Sequence, residues 1–445
     1  MIKSLCALSL FLIATPVSAA AGAQLPELVM LGPIPLDFVL FACVLLGIAF
    51  FHHRTFEVAV TGLMVIAAYK ALVTGTRFGT GFVGVAGVFG HEWVTLANLF
   101  CLLMGFAVLS KHFEDSHVPA AIPRYLPDGW KGNFVLLALV FVLSSFLDNI
   151  AAALIGGTVA AAVFKGKVHI GFLAAIVAAS NAGGSGSVVG DTTTTMMWID
   201  GVSPLEVLDA YVAAVVALLV FGLFAAHQQA RFAPIERGGS STVRIDWGRV
   251  GVVAFILVAA VGANVLANLR YPAALDHFPV IGAAVVAAII VSTPFRKPDW
   301  AVLPASLKGT LFLLCLVSCA SLMPVEKLPP PSWPTTMGLG FVSAVFDNIP
   351  LTALALYQGG YDWGMLAFAV GFGGSMIWFG SSAGVALSTQ FPEARSVGLW
   401  LRHGWHVVLA YVVGFLVFLA LVGWHPGAKR VKAPAAPPAA SQPVR

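Results

Sequence analysis

Ser144-Ser145-Phe146-Leu147-Asp148-Asn149-Ile150 is a polar phrase set between long apolar stretches, and it returns in altered form as Ala344-Val345-Phe346-Asp347-Asn348-Ile349-Pro350. An ionisable carboxylate inside an apolar segment is expensive and by default faces a water-filled cavity or an ion path. Two such acids in matching positions of two halves indicate an internal repeat with a shared site between the halves. The first Asp-Asn pair sits between arms of about 15 residues, short for a full crossing at 1.5 Å per residue. Segments 133–164 and 335–360 therefore read as re-entrant hairpins with Asp148-Asn149 and Asp347-Asn348 at their tips.

The apolar blocks around the first hairpin place spans at about 34–51, 55–73 and 93–110 before it. A long segment at 168–200 and a span at 204–226 follow it. The second half repeats this order, with spans at about 250–269, 278–294 and 301–323, the hairpin, a long segment at 363–390 and a span at 402–423. Both long segments are interrupted by small residues, Gly183-Gly184-Ser185-Gly186-Ser187 and Gly190-Asp191 in one, Gly373-Gly374-Ser375 and Gly380-Ser381-Ser382 in the other, 190 residues apart. Five spans plus a hairpin is an odd count, so the second copy enters the membrane upside down. The fold class is thus an all-α polytopic membrane protein: two inverted repeats of five spans plus one re-entrant hairpin each, with broken helices at the midplane. The expected domains are a signal peptide at 1–20, a first transmembrane repeat at 34–226 and a cytoplasmic loop at 227–249. A second, inverted repeat at 250–423 and a disordered tail at 427–445 complete the chain.

Composition agrees. Of 445 residues, 59% are hydrophobic and only 10% charged, with a mean hydropathy of +0.92; soluble chains carry about 25% charge. The net charge of +4 is small and scattered, so nucleic acid is not an expected partner; the lipid bilayer is. Fifteen basic residues fall in the loops of one side and four in those of the other, which places the richer side in the cytoplasm of a multi-pass, bacterial-type inner (plasma) membrane protein. Lys3, the apolar run Leu5–Ala14 and Val17-Ser18-Ala19 have the form of a secretory signal. The cysteines show no zinc spacing and no disulfide framework, and no motif asks for a cofactor. His91-Glu92 lacks the second histidine of a zinc protease motif and reads as surface. Asp37, Lys70, His403 and His406 read as interfacial.

Unwound backbone inside a bilayer must line a cavity or be buried in protein. Freed carbonyls, Asn amides and Ser/Thr hydroxyls then supply hard oxygen ligands suited to Na⁺. Asp148, Asn149, Asn181, Gly184, Ser185, Asp191, Thr192 and Thr193 form one oxygen-rich set. Asp347, Asn348, Ser375, Ser381 and Ser382 form the related one. Asp148, Asp191 and Asp347 are the candidate Na⁺ ligands. The competing reading of the glycines is close packing between helices.

At these residues the chain resembles the ion transporter superfamily, specifically its NhaD-type sodium/proton antiporter branch, with citrate transporter-like proteins and arsenite permeases as relatives. Asn181-Ala182-Gly183-Gly184 and Gly190-Asp191-Thr192-Thr193-Thr194-Thr195-Met196-Met197-Trp198 resemble the first broken-helix motif of that branch. Asp347-Asn348-Ile349-Pro350-Leu351, Gly373-Gly374-Ser375 and Gly380-Ser381-Ser382-Ala383-Gly384-Val385 resemble its second-half motifs. The chain departs from the branch at Ser187-Val188-Val189-Gly190, where a Pro usually stands. The resemblance implies hairpins entering from opposite faces, substrate held at their tips and at the helix breaks, and homodimers in many members.

The function expected is therefore secondary active transport, sodium(cation)/proton antiport, with Na⁺ or another monovalent cation and H⁺ as partners. A carboxylate can hold either ion, and competition for one site couples the two gradients. The alternative is a cation-coupled citrate/dicarboxylate symporter, with an organic anion as the further partner, although no arginine stands at either tip to grip it. No enzyme is expected. Gly190-Asp191 is only a fragment of an intramembrane aspartyl protease site.

Overall fold

The computed structural model describes residues 28–51, 54–235, 244–271 and 274–427. The expected signal peptide at 1–20 with Cys6, most of the expected tail from 427 and residues 236–243, including Arg237, lie outside the described residues.

Apart from a small antiparallel pair, Met30–Leu31 with Ile34–Pro35, the elements are helical. The first three are α1 (Leu36–Phe50), α2 (Thr55–Tyr69, continued by a π turn to Thr74) and α3 (Gly81–Asp115). Next come α4 (Trp130–Ser144) and α5 (Asn149–Val163), then α6 (Ile170–Ser185), α7 (Thr192–Ile199) and α8 (Ala210–Phe232). The second half holds α9 (Trp247–Arg270), α10 (Val280–Ser292) and α11 (Val302–Ser321), followed by α12 (Trp333–Ser343) and α13 (Asn348–Gln358). It ends with α14 (Trp363–Gly373), α15 (Ser382–Gln390), α16 (Val397–His403) and α17 (Trp405–Leu421).

Among the described residues five stretches are long and apolar enough to cross a membrane: Thr55–Thr74, Gly81–Tyr125, Pro204–Phe232, Trp247–Ala267 and Val302–Ser321. The pair α16–α17, bent by 60°, makes a sixth if counted as one span. Such helices define a polytopic all-α membrane protein. The expected third span at 93–110 begins earlier, because the apolar pattern and Gly81 at φ +71° allow the helix to start at 81. The block at 278–294 forms only the 13-residue α10.

Two bodies pack side by side. In one, α3 contacts α9, α10 and α11, while α2 lies against α1 and α11. In the other, α8 packs on α4, α6 and α17, and α12 on α14. Its centre is α6 and α14, almost every residue of which is buried. Matching contacts recur. Ser144 Oγ donates to the Ser180 carbonyl and Ser343 Oγ donates to the Val370 carbonyl. Each serine ties the first arm of a hairpin to the broken helix beside it.

The glycines correct one expectation. Gly183 and Gly184 lie within α6, and the break begins only at Gly186 and runs to Asp191. In the second half α14 ends at Gly373, a 3₁₀ turn covers Gly374–Met376, and the break runs over 377–381. A Cβ on Gly183 would collide with the Phe141 carbonyl, and one on Gly373 with the Gly340 carbonyl. These glycines let backbone approach backbone, as small residues do between helices in membranes; they do not open the chain to a ligand.

Other expectations also change. Asp37 and Lys70 are buried against each other as an ion pair rather than interfacial. Glu92 is buried and accepts from Arg77 at 3.0 Å. His406 is buried beside Gln228. In each case a partner makes burial of the polar group tolerable.

Gly183→Ala and Gly373→Ala are each expected to cost about 1–3 kcal/mol through overpacking, read as a lower melting temperature of the detergent-solubilised protein. Gly262→Ala on α9, where a Cβ meets nothing within 4 Å, should leave melting unchanged or raise it slightly.

Candidate functional site

Four half-helices begin near the centre of the molecule, and each is capped by a side chain from the recurring motifs. Asp148 accepts from Ile150 N–H at 3.2 Å at the start of α5, and Asp347 accepts from Ile349 N–H at 3.1 Å at the start of α13. Asp191 accepts from Thr193 N–H at 3.3 Å at the start of α7, and Ser381 from Gly384 N–H at 3.3 Å at the start of α15. Asp and Ser are preferred N-caps because their oxygens satisfy otherwise unpaired N–H groups. The positive end of the helix dipole also favours a carboxylate there. At Asp148 and Asp191 the capping bond uses one carboxylate oxygen; at Asp347 the second oxygen accepts from Ser382 Oγ, and at Ser381 the acceptor is a hydroxyl.

The hairpin tips meet the breaks. Asn149 Nδ2 donates to Asn181 Oδ1 at 3.0 Å. Asn181 Nδ2 donates to the second half of the chain, to Ser375 Oγ at 2.9 Å and Ser381 Oγ at 3.1 Å. Asn348 Nδ2 lies 3.5 Å from Asp191 Oδ2, and Ser382 Oγ donates to Asp347 Oδ2 at 3.1 Å. Asn149, Asn181, Ser185, Asp191, Thr192, Thr193, Asn348, Ser375 and Ser381 are all buried. Asp148, Asp347 and Ser382 are partly exposed. They border a cavity of about 670 Å³, also lined by Thr192, Phe106, Thr310 and Val345, that reaches Lys111, Glu114 and Gln390. Asp191 lies within electrostatic reach of both Asp148 and Asp347. Among the described residues the acids, histidines and cysteines form no three-ligand metal cluster. Each carboxylate instead serves its own helix start.

Two expected ligands have other occupations. Gly184 packs against the Gly190 carbonyl, where a Cβ would be 2.7 Å away. Ser185 Oγ donates to the Ala182 carbonyl of its own helix. The threonine run divides. Thr194 Oγ1 donates to the Ser187 carbonyl at 2.6 Å and Thr195 Oγ1 to the Val188 carbonyl at 2.9 Å, stapling the break. Thr192 borders the cavity. Thr193 Oγ1 is buried beside Asp191 with no well-formed hydrogen bond. Sequence reasoning missed Ser144, Ser145 and Ser343, which pin the hairpins. It also missed Gly371, which stands 190 residues after Asn181, an offset that could have found it. Chemically, the arrangement offers carboxylate, amide and hydroxyl oxygens from both halves, a hard-oxygen donor set.

Replacing Asp148, Asp191 or Asp347 by Asn preserves an N-cap and should hold the melting temperature near wild type. The Ala variants lose the cap and should each cost about 1 kcal/mol, measured by thermal unfolding in detergent.

No protein-family profile matches the chain. Among curated proteins it is similar to "Sodium/proton antiporter 1" of Arabidopsis thaliana, 28% identical over 66% of this chain and 56% of that protein. It is similar to "Na(+)/H(+) antiporter NhaD" of Vibrio cholerae, 28% identical over 64% of this chain and 69% of the relative. The protein of the same name from Vibrio parahaemolyticus is 27% identical over 75% of this chain and 91% of its own length. The match thus spans little more than half of the plant relative and most of the bacterial ones. These relatives bear out the resemblance to NhaD-type proteins drawn from Asn181–Trp198 and its second-half counterparts.

Proposed function

We propose that this chain is a secondary active transporter that exchanges Na⁺, or another small monovalent cation, for H⁺ across a bacterial-type plasma membrane. The observation that carries the reading is Asp191: a buried carboxylate at a helix break, facing Asn348 of the other half, beside a cavity that reaches Asp148 and Asp347. Burial disfavours an ionised carboxylate unless a positive charge accompanies it, and a proton or a metal cation satisfies that need equally. The two ions therefore exclude each other, and exchange couples their gradients. The relatives named above are sodium/proton antiporters by name, which favours this reading over citrate symport. The cavity wall agrees with it. Its ionisable groups are Lys111, Glu114, Asp148 and Asp347, and Lys111 is committed to Glu114 and Asp115, each at 3.2 Å. That wall would repel an organic anion.

The finer architecture belongs to the same proposal. Residues 34–226 and 250–423 are read as two inverted repeats with hairpins entering from opposite faces, and loop 227–249 as cytoplasmic. Support comes from the paired hydrogen bonds of Ser144 and Ser343 and the paired glycine contacts of Gly183 and Gly373. The cavity reaches the side of Lys111 and Glu114, which the distribution of basic residues assigns to the cytoplasm. The conformation is then inward-facing. On the opposite side α13 packs directly on α11.

Purified protein in liposomes with an internal pH dye should move protons when Na⁺ or Li⁺ is added. Asp191→Asn should abolish that movement while melting as wild type does. Normal Na⁺-driven proton movement in Asp191→Asn would remove Asp191 from the mechanism.

Protons and cation compete for the same oxygens, so linkage fixes the sign: apparent cation affinity falls as pH falls. The slope approaches about tenfold per pH unit once the protonated form dominates, and affinity levels off above the titration. Calorimetry with Na⁺ across pH, with and without citrate, measures this. Affinity that ignores pH and requires citrate would favour the symporter.

A further inference from the structure

The two halves of the central site are built on the same plan but filled differently. Positions 181 and 371, 185 and 375, and 191 and 381 are each 190 residues apart, and they face each other across the boundary where α6 meets α14. In one half-site Ser375 and Ser381 of the second repeat face Asn181 of the first. In the other, Ser185 and Asp191 of the first repeat face Gly371 of the second.

The Asn181 half-site is closed and uncharged. The amide of Asn181 accepts from Asn149 and donates to both Ser375 Oγ and Ser381 Oγ. Ser381 Oγ also accepts from Gly384 N–H. A hydroxyl oxygen has two lone pairs, so none remains on Ser381 for an ion. The amide NH₂ lies where a cation bound by these two hydroxyls would lie, and it satisfies the same acceptors.

The Gly371 half-site has the opposite character. Gly371 projects no side chain into it: a Cβ there would be 3.3 Å from Asp191 Oδ2, 3.6 Å from Ser185 Cβ and 3.9 Å from Thr193 Oγ1. The carboxylate has acceptor capacity to spare. Oδ1 holds the capping N–H, Oδ2 has the 3.5 Å approach of Asn348, and the Thr193 hydroxyl lies beside the carboxylate. Thr193 Oγ1, fully buried, adds a further oxygen without a well-formed bond.

We infer that the Asn181 amide permanently occupies one of two symmetry-related cation positions. The chain then holds a single monovalent cation, at Asp191 in the space kept open by Gly371. The inference rests on the cation-transport reading and adds to it a one-cation stoichiometry and a specificity-determining glycine. Moving the amide to the other half-site should close it. In Gly371→Asn a tethered NH₂ would reach Asp191 Oδ2 as Asn181 reaches Ser381.

Equilibrium binding of radioactive Na⁺ to the purified full chain in nanodiscs at alkaline pH tests this. One Na⁺ per wild-type chain is expected. Gly371→Asn should bind about tenfold more weakly or worse, as for the loss of one charge-assisted contact, with thermal melting retained. If Gly371→Asn does not fold, Gly371→Ala serves, with a few-fold loss expected from its tight 3.3 Å contact. The double variant Asn181→Gly, Ser381→Asp should bind two. Two Na⁺ per wild-type chain, or undiminished affinity in the folded Gly371 variants, would overturn the inference. Proton movement in liposomes separates the two readings. Two bound Na⁺ with exchange intact rejects the filled half-site and leaves antiport standing. One bound Na⁺ without proton movement rejects antiport and leaves the single site standing.

Discussion

A backbone that breaks inside a membrane protein must still pair its N–H and C=O groups, because hydrocarbon offers no partners. In this chain Asp148, Asp191, Asp347 and Ser381 meet that requirement at four half-helix starts, each accepting from an N–H within the first turn. The need explains why short acidic and hydroxyl residues stand there at all. It also orients these groups: each capping aspartate is held through an oxygen by an N–H of its helix, and the helix dipole offsets part of the cost of its charge. In the exchange proposed above the capping atoms would also hold the ion, and an Asp→Asn change can separate the two roles.

The helices around the breaks are held close by the absence of side chains. Gly183 and Gly373 admit the Phe141 and Gly340 carbonyls, and Gly184 and Gly374 admit the Gly190 and Gly380 carbonyls. Serines complete the seams, with Ser144 and Ser343 each bonded to a carbonyl of the adjacent broken helix. Hairpins and broken helices therefore form one tightly packed body. Its surface against α3 and α11 differs between the two hairpins: α13 packs directly on α11, whereas α5 borders the cavity. One flank of this body is thus packed and the other open.

Much of this was legible beforehand because it depends on local rules. The repeated Asp-Asn marked both hairpin turns, since a capping acid with short apolar arms allows little else. Asp191-Thr192 and Ser381-Ser382 marked the restarts of the broken helices for the same reason. Gly183 misled, because a glycine before a break and a glycine under a neighbouring carbonyl look alike in a string of letters. Asp37 and Lys70, 33 residues apart, could not be paired without knowing that α1 and α2 lie together. Thr192 to Thr195 read as four equal hydroxyls, yet Thr194 and Thr195 staple the break while Thr193 turns toward Asp191.

By itself the sequence determined the helical, membrane-embedded class and the identity of the oxygen-bearing residues. These follow from hydropathy, from periodicity and from the expense of charge in hydrocarbon. Only the tertiary structure decided which of those residues meet. Asn181 reaches serines 194 and 200 positions away, and Asp191 faces an asparagine 157 positions away. Positions 190 residues apart thereby acquire unlike neighbours, an amide on one side and a bare backbone on the other. The sequence lists both residues, but whether an oxygen is already satisfied or still free depends on packing across the boundary between the halves.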